Sequence, residues 1–349
     1  MTDVVYVGTY THPGKSRGIY VLRRDGGVLT PLHVVEDVAD PAFLALGPGH
    51  RHLYCVNWLK PAGQMSAFGV EPDGDLRFVN RVPAGGADPC HLCVAPTGRF
   101  VLNACHESGT AAVLPIRADG GLEPPSDVVQ QVGSGPRPAQ THARAHFVDF
   151  DPNGRFVLVC DKGADKVFVY RLDANAGKLI PNDPPFAQLH PGAGPRHFAF
   201  HPSGRFVYVN NEQDSTLSAF AYDAERGALE HLQTGPTVPA GYDRPNTSSE
   251  IQMAPSGRFV YVSNRGHDSI AIFALDGATG CFEPAGHEPS RGETPRYFAL
   301  DPSGAWLFAC NQNSDTIVTF AVDPASGQLR ATGDLAEVPN PSCLIFHSV

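Results

Sequence analysis

A short unit, two strands joined by a Pro-x-Gly turn, recurs along this chain and limits what the chain can fold into. Its turn core, Pro-x-Gly-Arg-Phe-Val, occurs at residues 96–101, 152–157, 202–207 and 255–260. Aromatic residues alternate with smaller ones on both sides of the turn, as at Phe198, Phe200 and Tyr208, which is typical of half-buried strands. Proline presets one backbone dihedral and glycine accepts a positive φ, so we expect each turn to be tight.

The spacing of this unit predicts an all-β fold, a seven-bladed β-propeller. The first strands begin at seven anchor residues: Pro41, Pro89, Ala145, Pro195, Ser248, Pro295 and Pro341. A period of about fifty residues is that of propeller blades with four short antiparallel strands each. The last unit is incomplete, but residues 4–8 and 18–22 read as two more strands. We therefore expect the N- and C-terminal strands to share one blade, which closes the ring and removes free sheet edges.

The repeat also predicts how the chain is divided. Residues 1–25 are expected to supply closing strands, residues 26–139 two blades and residues 140–340 four blades. Blades cannot stand alone, and no segment is rich enough in glycine, serine or charge to be a linker. The sequence therefore predicts a single domain over residues 1–349.

Charge and cysteine content narrow the functional classes. The formal net charge of −10 argues against nucleic acid or an anionic membrane as a partner, because both require a basic face. The first residues lead directly into a strand, so neither a secretory signal nor a membrane-spanning helix is expected. Eight cysteines in a long chain without a signal favour reduced thiols and a cytoplasmic location.

Polar residues concentrate at two positions of the repeat. In a propeller the first strand of each blade lines the central channel, so equivalent positions form rings. The first ring, just after the anchors, includes His91, His146, Arg196, His197, Glu250 and Arg296. The second ring, at the ends of the second strands, reads Trp58, His106, Lys162, Glu212, Arg265 and Gln312. Two titratable rings at one mouth of a channel predict a pocket.

The residue types in these rings suggest their chemistry. Arginine side chains can hold a carboxylate or phosphate through two hydrogen bonds, glutamates can accept a proton, and histidines can stabilise an oxyanion or act as acids. The competing interpretation is that these charges only satisfy one another and the strand ends. His142 and His146 lead into a strand rather than a helix, so no metal site is predicted. No Gly-x-Gly-x-x-Gly, Walker or Gly-x-Ser-x-Gly motif occurs, so no cofactor is predicted.

Several runs resemble the lactonase family of seven-bladed propellers, which includes propeller-type 6-phosphogluconolactonases and the fungal carboxy-cis,cis-muconate cyclase. The runs are residues 6–11 with 18–20, residues 194–198 with 211–212, residues 263–270, and residues 295–298 with 311–312. The resemblance implies that His146, Arg196, Glu212 and Arg265 are the active-site groups. Two positions depart from the family pattern: Arg144 stands where a histidine is usual and Lys162 where an apolar residue is usual. Both add positive charge beside the pocket.

The function expected from these observations is hydrolysis of a sugar-acid lactone, as in carbohydrate metabolism. Glu212 is expected to act as general base, with His146 and an arginine stabilising the oxyanion. Arg196, Arg265 and Arg296 are expected to anchor the anionic part of the substrate. Substrate binding is further assigned to His91, Lys162, His197, Glu250, Arg296 and Gln312. One alternative is a muconate-type lactonizing cycloisomerase, and another is a non-catalytic propeller that binds a protein. The sequence makes no prediction of oligomeric state.

Overall fold

Seven four-stranded antiparallel sheets make up the fold. The computed structural model describes residues 3–12 and 14–347, and its strands are numbered β1 to β28 in chain order. The sheets are arranged as the blades of a propeller, so the predicted fold class is confirmed. The prediction of one domain over residues 1–349 includes residues outside the described ranges and stays a prediction.

Blades 1 to 3 follow one another along the chain. Blade 1 contains β4–β7, at Phe43–Leu46, His52–Asn57, Gln64–Val70 and Leu76–Pro83. Blade 2 contains β8–β11, at Pro89–Val94, Phe100–Cys105, Thr110–Pro115 and Asp127–Gln130. Blade 3 contains β12–β15, at Ala145–Phe150, Val157–Asp161, Lys166–Asp173 and Lys178–Gln188. A single turn of 3-10 helix at Pro48–His50 joins β4 to β5.

Blades 4 to 6 repeat the same order. Blade 4 contains β16–β19, at Pro195–Phe200, Phe206–Asn211, Thr216–Asp223 and Ala228–Pro236. Blade 5 contains β20–β23, at Thr247–Met253, Phe259–Arg265, Ser269–Leu275 and Phe282–Pro289. Blade 6 contains β24–β27, at Pro295–Leu300, Trp306–Asn311, Thr316–Val322 and Leu329–Glu337. Within the described residues there is no helix with the length and apolar character needed to span a lipid bilayer.

Blade 7 joins the two ends of the chain. Its strand order is β28-β1-β2-β3, with bounds Pro341–His347, Asp3–Thr9, Gly18–Asp25 and Val28–Glu36. The predicted closure by terminal strands is therefore confirmed. One boundary was wrong, because β3 also belongs to blade 7 although the sequence placed residue 26 onward in the next blades. The outer strand β3 is mostly exposed, so it lacks the apolar alternation that marked β1 and β2.

The apolar core lies between neighbouring blades rather than within any one sheet. Between blades 5 and 6, for example, Tyr261 and Ile272 pack in one cluster with Phe298 and Phe320, all almost fully buried. Full burial of a large apolar side chain contributes about 1.5–3 kcal/mol. Because each blade shares its apolar faces with its neighbours, the ring is stable only when complete.

A repeated tyrosine hydrogen bond also links neighbouring blades. The hydroxyls of Tyr6, Tyr208 and Tyr261 donate to the carbonyls of Gly74, Gly280 and Gly327 at 2.7, 3.0 and 2.9 Å. Each tyrosine lies on the second strand of one blade, and each glycine lies in the outer turn of the next. These buried turn carbonyls thereby receive a partner that their own blade does not supply.

Replacing Tyr208 by Phe tests this link, with Tyr242→Phe on the exposed 237–246 loop as the matched control. We expect Tyr208→Phe to lower the free energy of unfolding by about 1 kcal/mol, because the buried carbonyl of Gly280 loses its donor. The measurement is the urea unfolding curve of each variant. Equal curves for Tyr208→Phe and wild type would show that the link contributes no stability.

Candidate active site at the channel mouth

The second ring predicted from the sequence exists, and it has a seventh member. In blades 1, 2, 3, 4 and 6 the backbone N–H of the ring residue donates to the carbonyl of the residue just before the anchor, as Glu212 does to Gly194 at 2.8 Å, and in blade 5 Arg265 pairs with Thr247 at the same position. In blade 7 the same bond joins Tyr10 to Asn340 at 3.2 Å. Tyr10 therefore completes the ring of Trp58, His106, Lys162, Glu212, Arg265 and Gln312. Tyr10 was not predicted because its place in the repeat becomes apparent only when the register is continued from β28 to β1, across the junction of the chain ends.

A β-bulge at the start of the first strand aims the first-ring side chains. In blade 4, Pro195 pairs with Asn211 and His197 pairs with Asn210, so Arg196 has no partner in the ladder. The N–H of His197 instead donates to the side chain of Asn210 at 3.1 Å. Equivalent register shifts occur in blades 2, 3, 5 and 6. Such a bulge redirects a side chain out of the sheet, here toward the channel.

The carboxylate of Glu212 is surrounded by three cations. Its Oε1 lies 2.6 Å from Lys162 Nζ, and its Oε2 lies 3.0 Å from Arg196 Nε and 3.2 Å from Arg265 Nη2. Burial opposes ionisation of Glu212, but the attraction of these cations outweighs burial and holds its pKa well below the usual range. Glu212 is thus a fixed negative charge at neutral pH.

Positive charge exceeds negative charge in this cluster. Arg296, whose guanidinium lies 4.9 Å from the centre of the Tyr10 ring, adds a fourth cation beside Lys162, Arg196 and Arg265. Burial and then repulsion from Arg265 lower the pKa of Arg196 to about 10. Such uncompensated cations fit a site that receives an anionic ligand, because buried like charges are costly unless they are paired.

The second buried glutamate does not balance this excess. Burial raises the pKa of Glu250 to about 8, although Arg196 opposes the rise, so its carboxyl is largely neutral at pH 7. Its Oε2 lies 2.9 Å from His197 Nδ1, and Arg196 Nη1 lies 3.1 Å from His197 Nε2. Because arginine can only donate, Nε2 accepts and Nδ1 carries the proton that is donated to Glu250. The pair therefore fixes the tautomer and orientation of His197.

His146 is a channel histidine whose Nδ1 makes no hydrogen bond within the described part of the chain. It is buried, and its ring centre lies 5.2 Å from that of His197 and 5.7 Å from that of His106. Burial, followed by repulsion from Arg196 and Lys162, lowers the pKa of His146 well below its usual value. His146 is therefore neutral at pH 7, with a lone pair available to accept a proton.

The remaining two assigned residues lie differently. His91 is packed between the rings of Phe43 and Phe147 at centroid distances of 4.1 and 3.9 Å, and its Nδ1 faces the N–H of Val148 at 3.4 Å. These contacts give His91 a packing role in the channel wall. Gln312 is half-buried, and among the described residues its side chain makes no hydrogen bond.

Two cavities open beside the ring. One, of about 550 Å³, is lined by Lys162 and Glu212 together with His106, Arg137 and Arg144. The other, of about 840 Å³, is lined by Trp58 and residues of blades 1, 2 and 7. Arg137 was missed because it lies in the loop between β11 and β12, outside the repeat. The channel mouth thus brings together Lys162, Arg196, Glu212, Arg265 and their neighbours, which lie far apart in the sequence.

A group of potential metal ligands lies between the cavities. Asp88, His106 and Glu107 place their donor atoms within 4.8 Å of one another. Lys60 Nζ lies 3.0 Å from Asp88 Oδ2, and Arg144 Nη1 lies 3.1 Å from Glu107 Oε2. These cations already neutralise the two carboxylates. The sequence-based expectation that no metal is bound stays a prediction.

Glu212→Gln tests whether this carboxylate holds the cation cluster together. We expect the free energy of unfolding to fall by about 3 kcal/mol at pH 7, because three buried cations lose their shared counter-charge. The folded-state pKa of Glu212 is depressed, so its contribution is full above the ordinary value of 4.5 and is lost as pH falls through the lowered pKa. Unfolding of both proteins is measured between pH 3 and pH 7.

The control for this experiment is Glu225→Gln, which removes an exposed glutamate that pairs with Arg155. Exposed pairs contribute little, so this variant is expected to unfold like wild type within about 1 kcal/mol. Equal stability of Glu212→Gln and Glu225→Gln at pH 7 would contradict the role of Glu212 as counter-charge.

Comparisons with known proteins agree with this architecture. The family model described as "Lactonase, 7-bladed beta-propeller" matches residues 4–346. A 6-phosphogluconolactonase of Bacillus subtilis is 33% identical over 299 residues, which cover 85% of this chain and 84% of the relative. A 6-phosphogluconolactonase of Formosa agariphila is 32% identical over 307 residues, with 85% and 86% covered.

A solved structure extends the likeness to the full length. The Pseudomonas aeruginosa periplasmic gluconolactonase superposes with a TM-score of 0.94 at 34% identity and covers 100% of both chains. These matches support the lactonase interpretation over the cycloisomerase and the non-catalytic propeller. The chain belongs to the lactonase family of seven-bladed β-propellers.

Proposed function

We propose that this protein hydrolyses the lactone of an anionic sugar acid, of the 6-phosphogluconolactone type, at the mouth of the central channel. The observation that carries the proposal is the convergence of Lys162, Arg196 and Arg265 on the ionised carboxylate of Glu212, with Arg296 adding a further cation beside Arg196 and Tyr10. The names of the relatives supply the substrate class. The excess positive charge supplies the physical reason for an anionic substrate.

The surroundings of the two candidate bases favour His146 over Glu212. The Glu212 oxygens lie within 3.2 Å of Lys162, Arg196 and Arg265, so a water molecule competes with three cations for this carboxylate. His146 is neutral and has an unpartnered nitrogen. We therefore assign water activation to His146 and place Glu212 as the residue that holds the cations in position. General base action by Glu212 stays a sequence-based prediction.

The proposed reaction is a simple acyl transfer to water. His146 accepts a proton from water while the water oxygen bonds to the lactone carbonyl carbon, and the carbonyl oxygen becomes an oxyanion. Arg196, Arg265 or Lys162 stabilises that oxyanion electrostatically. The ring C–O bond then breaks, and the proton on His146 passes to the departing alkoxide. The product is the open-chain hydroxy acid, and His146 returns to its neutral form.

The rim of the 550 Å³ cavity can hold a phosphate. Arg137 and Arg144 line this cavity together with Lys162. The Arg137 guanidinium donates to the carbonyl of Gly192 at 2.7 Å, and among the described residues it has no carboxylate partner. Arginine binds phosphate through two parallel hydrogen bonds. We propose that these cations bind the phosphate of a phosphorylated lactone.

The cysteine content and the net charge bear on the location and the partners of the protein. We propose a cytoplasmic protein, supported by eight cysteines that form no disulfide within the part of the chain that the structure describes. The similar Pseudomonas aeruginosa protein is described as periplasmic. The net charge of −10 supports a small-molecule substrate rather than nucleic acid or a membrane surface.

A panel of aldonolactones tests the proposed function. We expect the protein to accelerate acid release from 6-phosphoglucono-δ-lactone and, with a lower kcat/KM, from glucono-δ-lactone, because the phosphate adds contacts to Arg137 and Arg144. Acid release is followed in a pH-stat and corrected for spontaneous hydrolysis. Traces equal to the spontaneous rate with every lactone of the panel would refute the proposal.

Variants of the two candidate bases separate their roles. We expect His146→Gln to lower kcat by about 10²- to 10⁴-fold with little change in KM, because general base catalysis contributes on that order. The matched control is His142→Gln, which alters an exposed histidine in the loop that precedes β12. Near wild-type kcat in His146→Gln, with loss of activity in stably folded Glu212→Gln, would assign the base to Glu212 instead.

A further inference from the structure

The channel mouth has two halves of different chemistry. Lys162, Glu212 and Arg265 form a charged half of the second ring, and Tyr10 and Trp58 form an aromatic half. The rings of Tyr10 and Trp58 meet edge to face, with centroids 4.9 Å apart and planes inclined by 70°. On its other side Tyr10 lies against the guanidinium of Arg296 at 4.9 Å. The aromatic wall is therefore continuous with the cation cluster.

The 840 Å³ cavity lies on the aromatic half and is fixed in shape. Trp58, partly exposed, forms one wall. Another part of the lining is held in place by Asp40, whose Oδ1 accepts hydrogen bonds from the N–H groups of Thr11 and His12 at 2.7 and 2.9 Å. The N–H of Trp58 donates to the carbonyl of Asp40 at 3.0 Å. The aromatic wall is thus pre-organised, which lowers the cost of binding.

This second cavity lacks the positive excess of the first. Lys60, which lines it, is paired with Asp88 at 3.0 Å, and Asp40 adds a further carboxylate. The cavity therefore offers hydrogen-bond acceptors and an aromatic surface rather than an anion site. Such a lining suits a neutral ligand that has hydroxyl groups along its edge and an apolar face.

Each cavity alone has the volume that usually holds one small ligand, in the range of roughly 300–1,000 Å³. In the proposed function, the lactone ring and its anionic group bind in the 550 Å³ cavity. The 840 Å³ cavity, which adjoins the same ring of residues, is left unused by a single sugar unit.

We propose that the 840 Å³ cavity is a second sugar subsite, and that the enzyme also hydrolyses the lactones of glycosyl-aldonic acids. A neutral hexose ring lies with its C–H face on Trp58, and its hydroxyls hydrogen-bond to the carboxylate of Asp40 and to the ammonium group of Lys60, whose side chain is exposed. The lactone ring lies at the cation cluster. This inference rests on the proposed lactonase function and extends its substrate class from one sugar unit to two.

The side chains that separate the two cavities can move to let such a substrate reach both. They form a chain of ion pairs, Lys60 to Glu107 at 3.5 Å and Glu107 to Arg144 at 3.1 Å. The side chains of Lys60 and Glu107 are 59% and 42% exposed. Exposed ion pairs are worth at most about 1 kcal/mol, so a glycosidic linkage can cross between the cavities at little cost.

Kinetics with two lactones test the proposal. Glucono-δ-lactone and lactobiono-δ-lactone, which carries an added galactosyl unit, are hydrolysed by wild type, Trp58→Ala and Trp58→Phe. We expect Trp58→Ala to lower kcat/KM for lactobiono-δ-lactone by about threefold to tenfold more than for glucono-δ-lactone, since one aromatic contact is lost. Trp58→Phe keeps an aromatic face and is expected to restore most of that difference.

A binding measurement provides a readout that does not depend on catalysis. The chain has two tryptophans, so Trp306→Phe leaves Trp58 as the remaining indole fluorophore. We expect its emission to change on titration with lactobionate, the open-chain disaccharide acid, and to change less with gluconate. The matched control, Trp58→Phe, reports only Trp306 on β25 and is expected to show no response.

The outcomes separate the two proposals. Hydrolysis of glucono-δ-lactone without hydrolysis of lactobiono-δ-lactone, and without a Trp58 response to lactobionate, overturns the second subsite and leaves the lactonase function standing. Failure to hydrolyse any lactone, with a Trp58 response to lactobionate, overturns the lactonase function and supports a sugar-binding cavity. A response of Trp58 to adenosine but not to lactobionate would identify a nucleobase site and refute the proposal.

Discussion

The pairing of β1 with β28 is the constraint on which the rest of the structure depends. Val5 pairs with Phe346 and Val7 with Leu344, so the two ends of the chain are joined in one sheet. Without this pairing, blade 7 would lack its innermost strand and leave two sheet edges open. Closure also fixes the register around the ring, and that register places Tyr10 beside the residues of six other blades.

The site uses side chains that β-bulges release from the strand ladders. Each bulge releases one residue from the ladder, and in blade 4 this residue is Arg196. Arg196 then meets Glu212 of its own blade, Arg265 of blade 5 and His197. A cluster with more cations than carboxylates costs stability in the free protein, and an anionic ligand offsets that cost. The same electrostatic imbalance thus limits stability and provides substrate affinity.

The aromatic half of the channel mouth, formed by Tyr10 and Trp58, binds through its shape and its apolar surface. Tyr10 touches both halves, since its ring packs on Trp58 and on the Arg296 guanidinium. A substrate with an anionic end and a polyhydroxylated body therefore meets chemically distinct surfaces at its two ends. This division gives the site an orientation that a uniformly charged ring would not have.

The sequence by itself determined the propeller, its seven blades, its closure and most of the ring. These features depend on a repeat that is local, since each Pro-x-Gly turn and its alternating strands can be read within about twenty residues. The outer strands, such as β3, were placed less well because they are largely exposed and carry weak apolar alternation.

Only the tertiary structure decided what each ring residue does. The spacing of the repeat predicted that Glu212, Lys162, Arg196 and Arg265 lie at the same mouth of the channel. It did not predict that the carboxylate of Glu212 forms ion pairs with all three cations. It also could not show that His91 is enclosed by two aromatic rings. Charge, burial and free lone pairs depend on distances between blades that are remote in sequence, and those distances exist only once the ring has closed.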